Sequence, residues 1–223
     1  MADASHEAVR QHLVPLLDAG IGVVVLSGTG RERDALFLDR VRQLSRRILD
    51  EGLVDRLVVP LQSLEDSAIS ARLLRSLDDP RCVGIEDDLS PEELMRFYRG
   101  ARFLVGRRLH GGLFAMLVGT PVILFATDGV KTHGVMSALG LSSRVAPYPD
   151  FHVEQVHGAL VDLLTAGLLR RHGAAGPQDR LRRRQVGLAE RVVLGVSRRL
   201  SNLGERTGIR PLTYNAGVFW MLK

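Results

Sequence analysis

The sequence predicts an α/β protein built on a parallel, doubly wound, Rossmann-like sheet. Three observations carry that expectation. Short β-branched runs such as Gly22-Val23-Val24-Val25-Leu26 show no polar alternation, as befits a strand buried on both faces. Amphipathic stretches of helical period follow them. The two patterns keep alternating to about residue 140, which implies crossover connections and helices on both faces of the sheet.

Ala8 to Leu17 reads as a short helix ahead of the first strand at 22–26. After the turn Ser27-Gly28-Thr29-Gly30, residues Asp34 to Asp50 place apolar side chains at 36, 37, 38, 41, 44 and 48, a helical stripe. Leu57-Val58-Val59 is the second strand, and Leu64 to Leu77 the helix that follows it. Arg81 to Ile85 is a third strand. Ser90-Pro91-Glu92-Glu93 then has the composition of a helix start, with Ser90 as N-cap and Glu93 closing a capping box. Phe103-Leu104-Val105 is strand four, Leu109 to Leu117 a helix, Val122-Ile123-Leu124 strand five, and Thr132 to Leu139 a further helix. From Val153 onward the pattern is helical, interrupted at His172-Gly173-Ala174-Ala175-Gly176-Pro177. Two regions are expected: a Rossmann-like domain over 1–165 and an Arg-rich helical extension and tail over 166–223.

Composition narrows the function classes. The chain has 223 residues, 45% of them hydrophobic, so it can fill a full core. A single cysteine, Cys82, excludes an internal disulfide framework and fits a reducing cytoplasm, with the inner face of the membrane as a further option. The opening MADASHEAVRQHL has neither the basic leader nor the apolar run of a secretory signal. Gly111 to Ala126 is the one membrane candidate; it is too short to span, and Gly119-Thr120-Pro121 breaks it. The net charge of +5 is uneven, because residues 170–210 hold 11 Arg against 3 acids while 1–169 are net acidic. No aromatic residues interleave with those arginines, so a solvated helix or a peripheral contact with anionic membrane or an acidic protein is expected there, and no nucleic acid. The histidines show no metal spacing, and no metal site is expected.

The chemistry should lie beyond the carboxyl ends of the strands, where open α/β sheets bind ligands. Three turns lie there: Ser27 to Gly30, Gly106 to Gly112, and Phe125 to Lys131. In the middle turn a helix beginning near His110 directs its first N–H groups and its positive dipole end at whatever leaves strand four. Gly111 and Gly112 would let a ligand approach that backbone, Arg108 offers a bidentate fork, and His110 offers a proton donor near neutral pH. Together these describe an anion site containing an acid. Taken alone, Arg-Arg-Leu-His reads equally well as surface arginines before a packed histidine. Arg107 by itself reads as structural or solvated, and the Ser27 turn lacks the lysine and spacing of a phosphate-binding loop.

Residues 89–141, LSPEELMRFYRGARFLVGRRLHGGLFAMLVGTPVILFATDGVKTHGVMSALGL, resemble the C-terminal half of the polysaccharide pyruvyl transferase family. The resemblance rests on Arg108-Leu109-His110, Gly119-Thr120-Pro121, the turn from Asp128 to Lys131, and Leu139-Gly140-Leu141, in order and at the family's spacings. It implies one half of a glycosyltransferase-B-like fold, phosphoenolpyruvate as donor with no further cofactor, and release of phosphate as pyruvate is attached as a ketal to a cell-surface saccharide. It also implies that Arg108 and His110 serve the donor as catalytic groups. Lys131, Gly111, Gly112, Ser27, Arg107 and Asp128 would border the substrate. Its usual tyrosine after strand five is replaced around Phe125-Ala126-Thr127.

The family's facing lobe has no counterpart in this reading, so a partner lobe or a homo-oligomer is expected to complete the cleft, and the acceptor could be lipid-linked. An open half-site should hold phosphoenolpyruvate only at millimolar level, about −4 kcal/mol. Two alternatives stand beside this one: a half of a nucleotide-sugar glycosyltransferase, and a non-catalytic partner lobe.

Overall fold

The structure, a computed structural model, describes residues 20–27, 32–60, 66–85, 89, 91–126 and 130–171. Within them a six-stranded sheet runs in the order β3-β2-β1-β4-β5-β6, every pairing parallel. The strands are β1 (Ile21–Val25), β2 (Arg56–Pro60), β3 (Cys82–Ile85), β4 (Phe103–Gly106), β5 (Val122–Ala126) and β6 (Val145–Pro147). The helices among the described residues are α1 (Glu32–Asp50), α2 (Ser67–Leu77), α3 (Pro91–Gly100), α4 (Leu109–Leu117), α5 (Val130–Ala138) and α6 (Val153–Arg171).

Three layers result. On one face of the sheet Val23, Leu104 and Leu124 meet Phe97 and Tyr98 of α3, Leu113 and Met116 of α4, and Met136 of α5. On the other, Val24, Val105 and Ile123 meet Phe37, Val41 and Ile48 of α1, Leu73 of α2, and Val156 and Leu160 of α6. β1, β4 and β5 are buried along their whole length, which is why they read as unbroken apolar runs and not as alternating ones.

Most sequence-predicted elements are present with ends shifted by one to three residues. Leu36 departs from the predicted stripe of α1 and is 44% exposed, because the buried face is set by Phe37, Leu38, Val41, Leu44 and Ile48. β6 went unpredicted. Three residues ending in proline carry no period, and only pairing with β5 makes them a strand. The expected boundary at 165/166 falls inside α6, which continues to Arg171 and is bound back to α1: Arg47 of α1 pairs with Glu154, and His157 Nε2 lies 3.0 Å from Glu51 Oε2. The Ala8–Leu17 helix, the Ser90 N-cap and the arginines beyond residue 171 lie outside the described residues.

Two pieces of the family-like pattern are helix stops. Gly119 (φ 86°) and Gly140 (φ 69°) follow α4 and α5 in left-handed conformation. In each case the next N–H bonds a carbonyl five residues back, Thr120 to Ala115 at 2.9 Å and Leu141 to Met136 at 2.8 Å. Thr120 also donates its hydroxyl to the Tyr98 carbonyl at 2.5 Å, tying α3 to the start of β5.

Candidate functional site

β1 and β4 are neighbours, with Val25 opposite Gly106, yet the chain leaves them toward opposite sides of the sheet. That is the topological switch point of the 3-2-1-4-5-6 order, and its carboxyl edge is where a ligand crevice forms. Ser27 leaves β1 there, and Arg107 and Arg108 leave β4. Asp66 precedes α2 on one side, with Lys131 in α5 and Tyr148 after β6 on the other.

The two arginines are consecutive and engage different surroundings. Arg107 Nη1 donates to the Ser27 carbonyl oxygen at 2.5 Å and to Asp34 Oδ1 at 3.1 Å. Its guanidinium carbon sits 3.6 Å from the centre of the Tyr148 ring, and the Tyr148 hydroxyl donates to the same Asp34 oxygen at 2.5 Å. Burial, and then that bond to a carboxylate, raises the Tyr148 pKa. Asp34 is only 4% exposed, in the first turn of α1, where the helix dipole also favours its charge. Phe37 lies one turn on and packs edge-on against Tyr148 and Phe125. Arg107 therefore joins β1, α1, β4 and the segment after β6 in one clamp.

Arg108 occupies the N-cap position of α4 in extended conformation. Its Nε donates to Asp66 Oδ2 at 2.8 Å, and its Nη2 lies 2.6 Å from the same oxygen. Arg108 is 14% exposed and Asp66 2%. His110, in the first turn of α4, is partly buried. Its pKa is lowered from the usual value of 6.5 by burial first, and then by the positive charges of Lys131 and Arg108. Lys131, in the first turn of α5, is exposed. His110 and Lys131, 21 residues apart in sequence, are thus close enough at this edge for the lysine's charge to act on the imidazole.

The remaining predicted residues divide. Gly111 and Gly112 are buried in α4. At Gly112 a Cβ would lie 2.8 Å from Leu124 Cδ2, so this glycine lets α4 lie close on β5. Ser27 serves the clamp through its carbonyl. Asp128 lies outside the described residues. Asp34, Asp66 and Tyr148 are edge residues that the sequence reading did not single out. Asp34 left one signal, an acid on the apolar face of α1, three and four residues before Phe37 and Leu38. Cys82 lies in β3 with its thiol pushed up to about 11 by burial, so it is no ready nucleophile. Among the described residues no cluster of His, Cys, Asp or Glu could hold a metal, and no helix is long and apolar enough to cross a membrane.

Fold and edge together define a Rossmann-like lobe whose switch-point crevice carries clustered basic groups. A profile of the polysaccharide pyruvyl transferase family matches residues 17–129, 113 of the 223, and the chain belongs to that family. No protein of curated function matches it. Among solved structures it is similar to the Escherichia coli ADP-heptose lipopolysaccharide heptosyltransferase II, with a TM-score of 0.52 and 11% identity over 75% of this chain and 53% of that one. It is also similar to the E. coli heptosyltransferase WaaC with ADP, with a TM-score of 0.46 and 21% identity over 72% and 48%. The former likeness is one of fold, that of glycosyltransferase-B enzymes. The chain spans about half the length of these structural neighbours.

Proposed function

We propose that this chain supplies the donor-binding lobe of a polysaccharide pyruvyl transferase, holding phosphoenolpyruvate at the carboxyl edge between β1 and β4. The observation that carries this reading is the convergence of Arg108, His110 and Lys131 on one edge, where the two positive charges add to burial in lowering the pKa of the histidine. Phosphoenolpyruvate brings phosphate and carboxylate charges that suit Arg108, Lys131 and the N-terminus of α4. Forming the ketal makes two C–O bonds from sugar hydroxyls to the enol carbon and breaks its bond to the phosphate oxygen. The methylene becomes a methyl group by gaining one proton, and the second hydroxyl proton leaves with phosphate.

His110 supplies the proton to the methylene carbon as positive charge builds on its neighbour. In the free chain its lowered pKa keeps it largely neutral at pH 7. A bound dianion offsets the charges of Arg108 and Lys131 and raises that pKa, so the acid is loaded as the donor arrives. The saccharide would be met by a facing lobe, from a partner or a second copy. The Arg-rich segment beyond residue 171 would contact anionic membrane where a lipid-linked acceptor is presented.

Parallel titrations of the full chain with phosphoenolpyruvate and with nucleotide sugars test the reading. Saturable binding of phosphoenolpyruvate that Arg108→Ala weakens is expected. Preference for a nucleotide sugar would replace pyruvyl transfer by glycosyl transfer.

A further inference from the structure

Asp66 belongs to none of the family-like motifs, yet Arg108 engages its carboxylate. It stands immediately before α2, 42 residues from Arg108, and is 2% exposed. A single oxygen, Oδ2, takes both the Nε and the Nη2 of the guanidinium. The positive end of α2 lies beside it and favours its negative charge.

We propose that Asp66 is the positioning residue for Arg108, fixing the plane in which the guanidinium is presented to the donor anion. This rests on the reading of Arg108, His110 and Lys131 as the donor site. A guanidinium recognises phosphate or carboxylate through two parallel N–H groups in a rigid fork, so its orientation matters as much as its charge. The arginine stem has several rotatable bonds, and ordering them only when the ligand arrives would weaken binding. Asp66 orders them beforehand by holding the guanidinium through Nε and Nη2.

Orientation and charge give opposite signs. Were Asp66 merely one more charge near the site, removing it would relieve repulsion and tighten anion binding. As a positioning residue, its loss loosens binding despite that relief. Phosphoenolpyruvate is titrated into the full-length wild type, Asp66→Asn, Asp66→Ala, Arg108→Ala and the two double variants, with thermal unfolding recorded for each. Asp66→Asn, near-isosteric and keeping one acceptor oxygen, should weaken binding about threefold, and Asp66→Ala about tenfold. In the Arg108→Ala background both should change affinity less than twofold. Tighter or unchanged binding in Asp66→Asn, or an equal loss with and without Arg108, overturns the positioning role while leaving the site standing. Binding indifferent to Arg108→Ala, or none in the wild type, removes the donor-site reading and the positioning role with it.

Discussion

Arg107 and Arg108 are the same residue type, one peptide apart, and the molecule uses them differently. The Arg107 clamp pairs one guanidinium with one nearly inaccessible carboxylate, Asp34, and covers it with the Tyr148 ring. Charge there balances. At the Arg108 corner the described residues bring together one carboxylate, Asp66, which pairs with Arg108, a second cation, Lys131, and a histidine held below its ordinary pKa by burial first and then by those two positive charges. Among the described residues positive charge is in surplus there, and a surplus at a sheet edge is what recruits an anion. Identity of side chain does not assign a role at this edge; the partners do.

The largest expected effect would break the clamp. Asp34→Ala leaves the Arg107 guanidinium and the Tyr148 hydroxyl without their carboxylate, and should cost about 3 kcal/mol of stability by urea denaturation. Donor affinity should hold under native conditions, because the clamp supports the fold. A gain in affinity would mean that the released Arg107 reaches the ligand. Next in size, Arg108→Ala should weaken phosphoenolpyruvate binding by roughly 1.5–3 kcal/mol, the loss of a charge-assisted bidentate contact, measured by calorimetric titration.

Gly112→Ala sharpens the contrast between packing and binding. Leu124 must give way to the new methyl, for about 1–2 kcal/mol of stability, and donor affinity should be unchanged. A selective loss of affinity would return Gly112 to the ligand. The smallest effect is in pH. His110 binds fewer protons in the free chain than an ordinary histidine and more once the anion is bound, so donor binding takes up a proton. Affinity should therefore rise, by less than about tenfold, as pH falls from about 8 to about 6. His110→Gln should lose that part of the slope while keeping the part due to the donor's own phosphate.

The sheet was legible because strands buried on both faces must be unbroken apolar runs, and β1, β4 and β5 are such runs. β6 was not, since its three residues become a strand only through pairing with β5. At the edge, Arg108, His110 and Lys131 could be found because each follows a predicted strand. Their carboxylate counterparts could not: Asp34 meets Arg107 across 73 residues and Asp66 meets Arg108 across 42, and no local period encodes such pairs. The packing of Gly112 against Leu124 was not legible either, as it depends on how α4 lies over β5.

The central claim is that the Arg108 corner binds the donor and the Arg107 clamp does not. Calorimetric titration of phosphoenolpyruvate into the full chain, wild type against Arg108→Ala and Arg107→Lys, tests it most directly. Binding on the order of millimolar is expected in the wild type, about tenfold or more weaker in Arg108→Ala, and within about threefold of wild type in Arg107→Lys at a temperature where that variant is folded. Equal losses in the two variants, or a larger loss in Arg107→Lys, would contradict the division of roles.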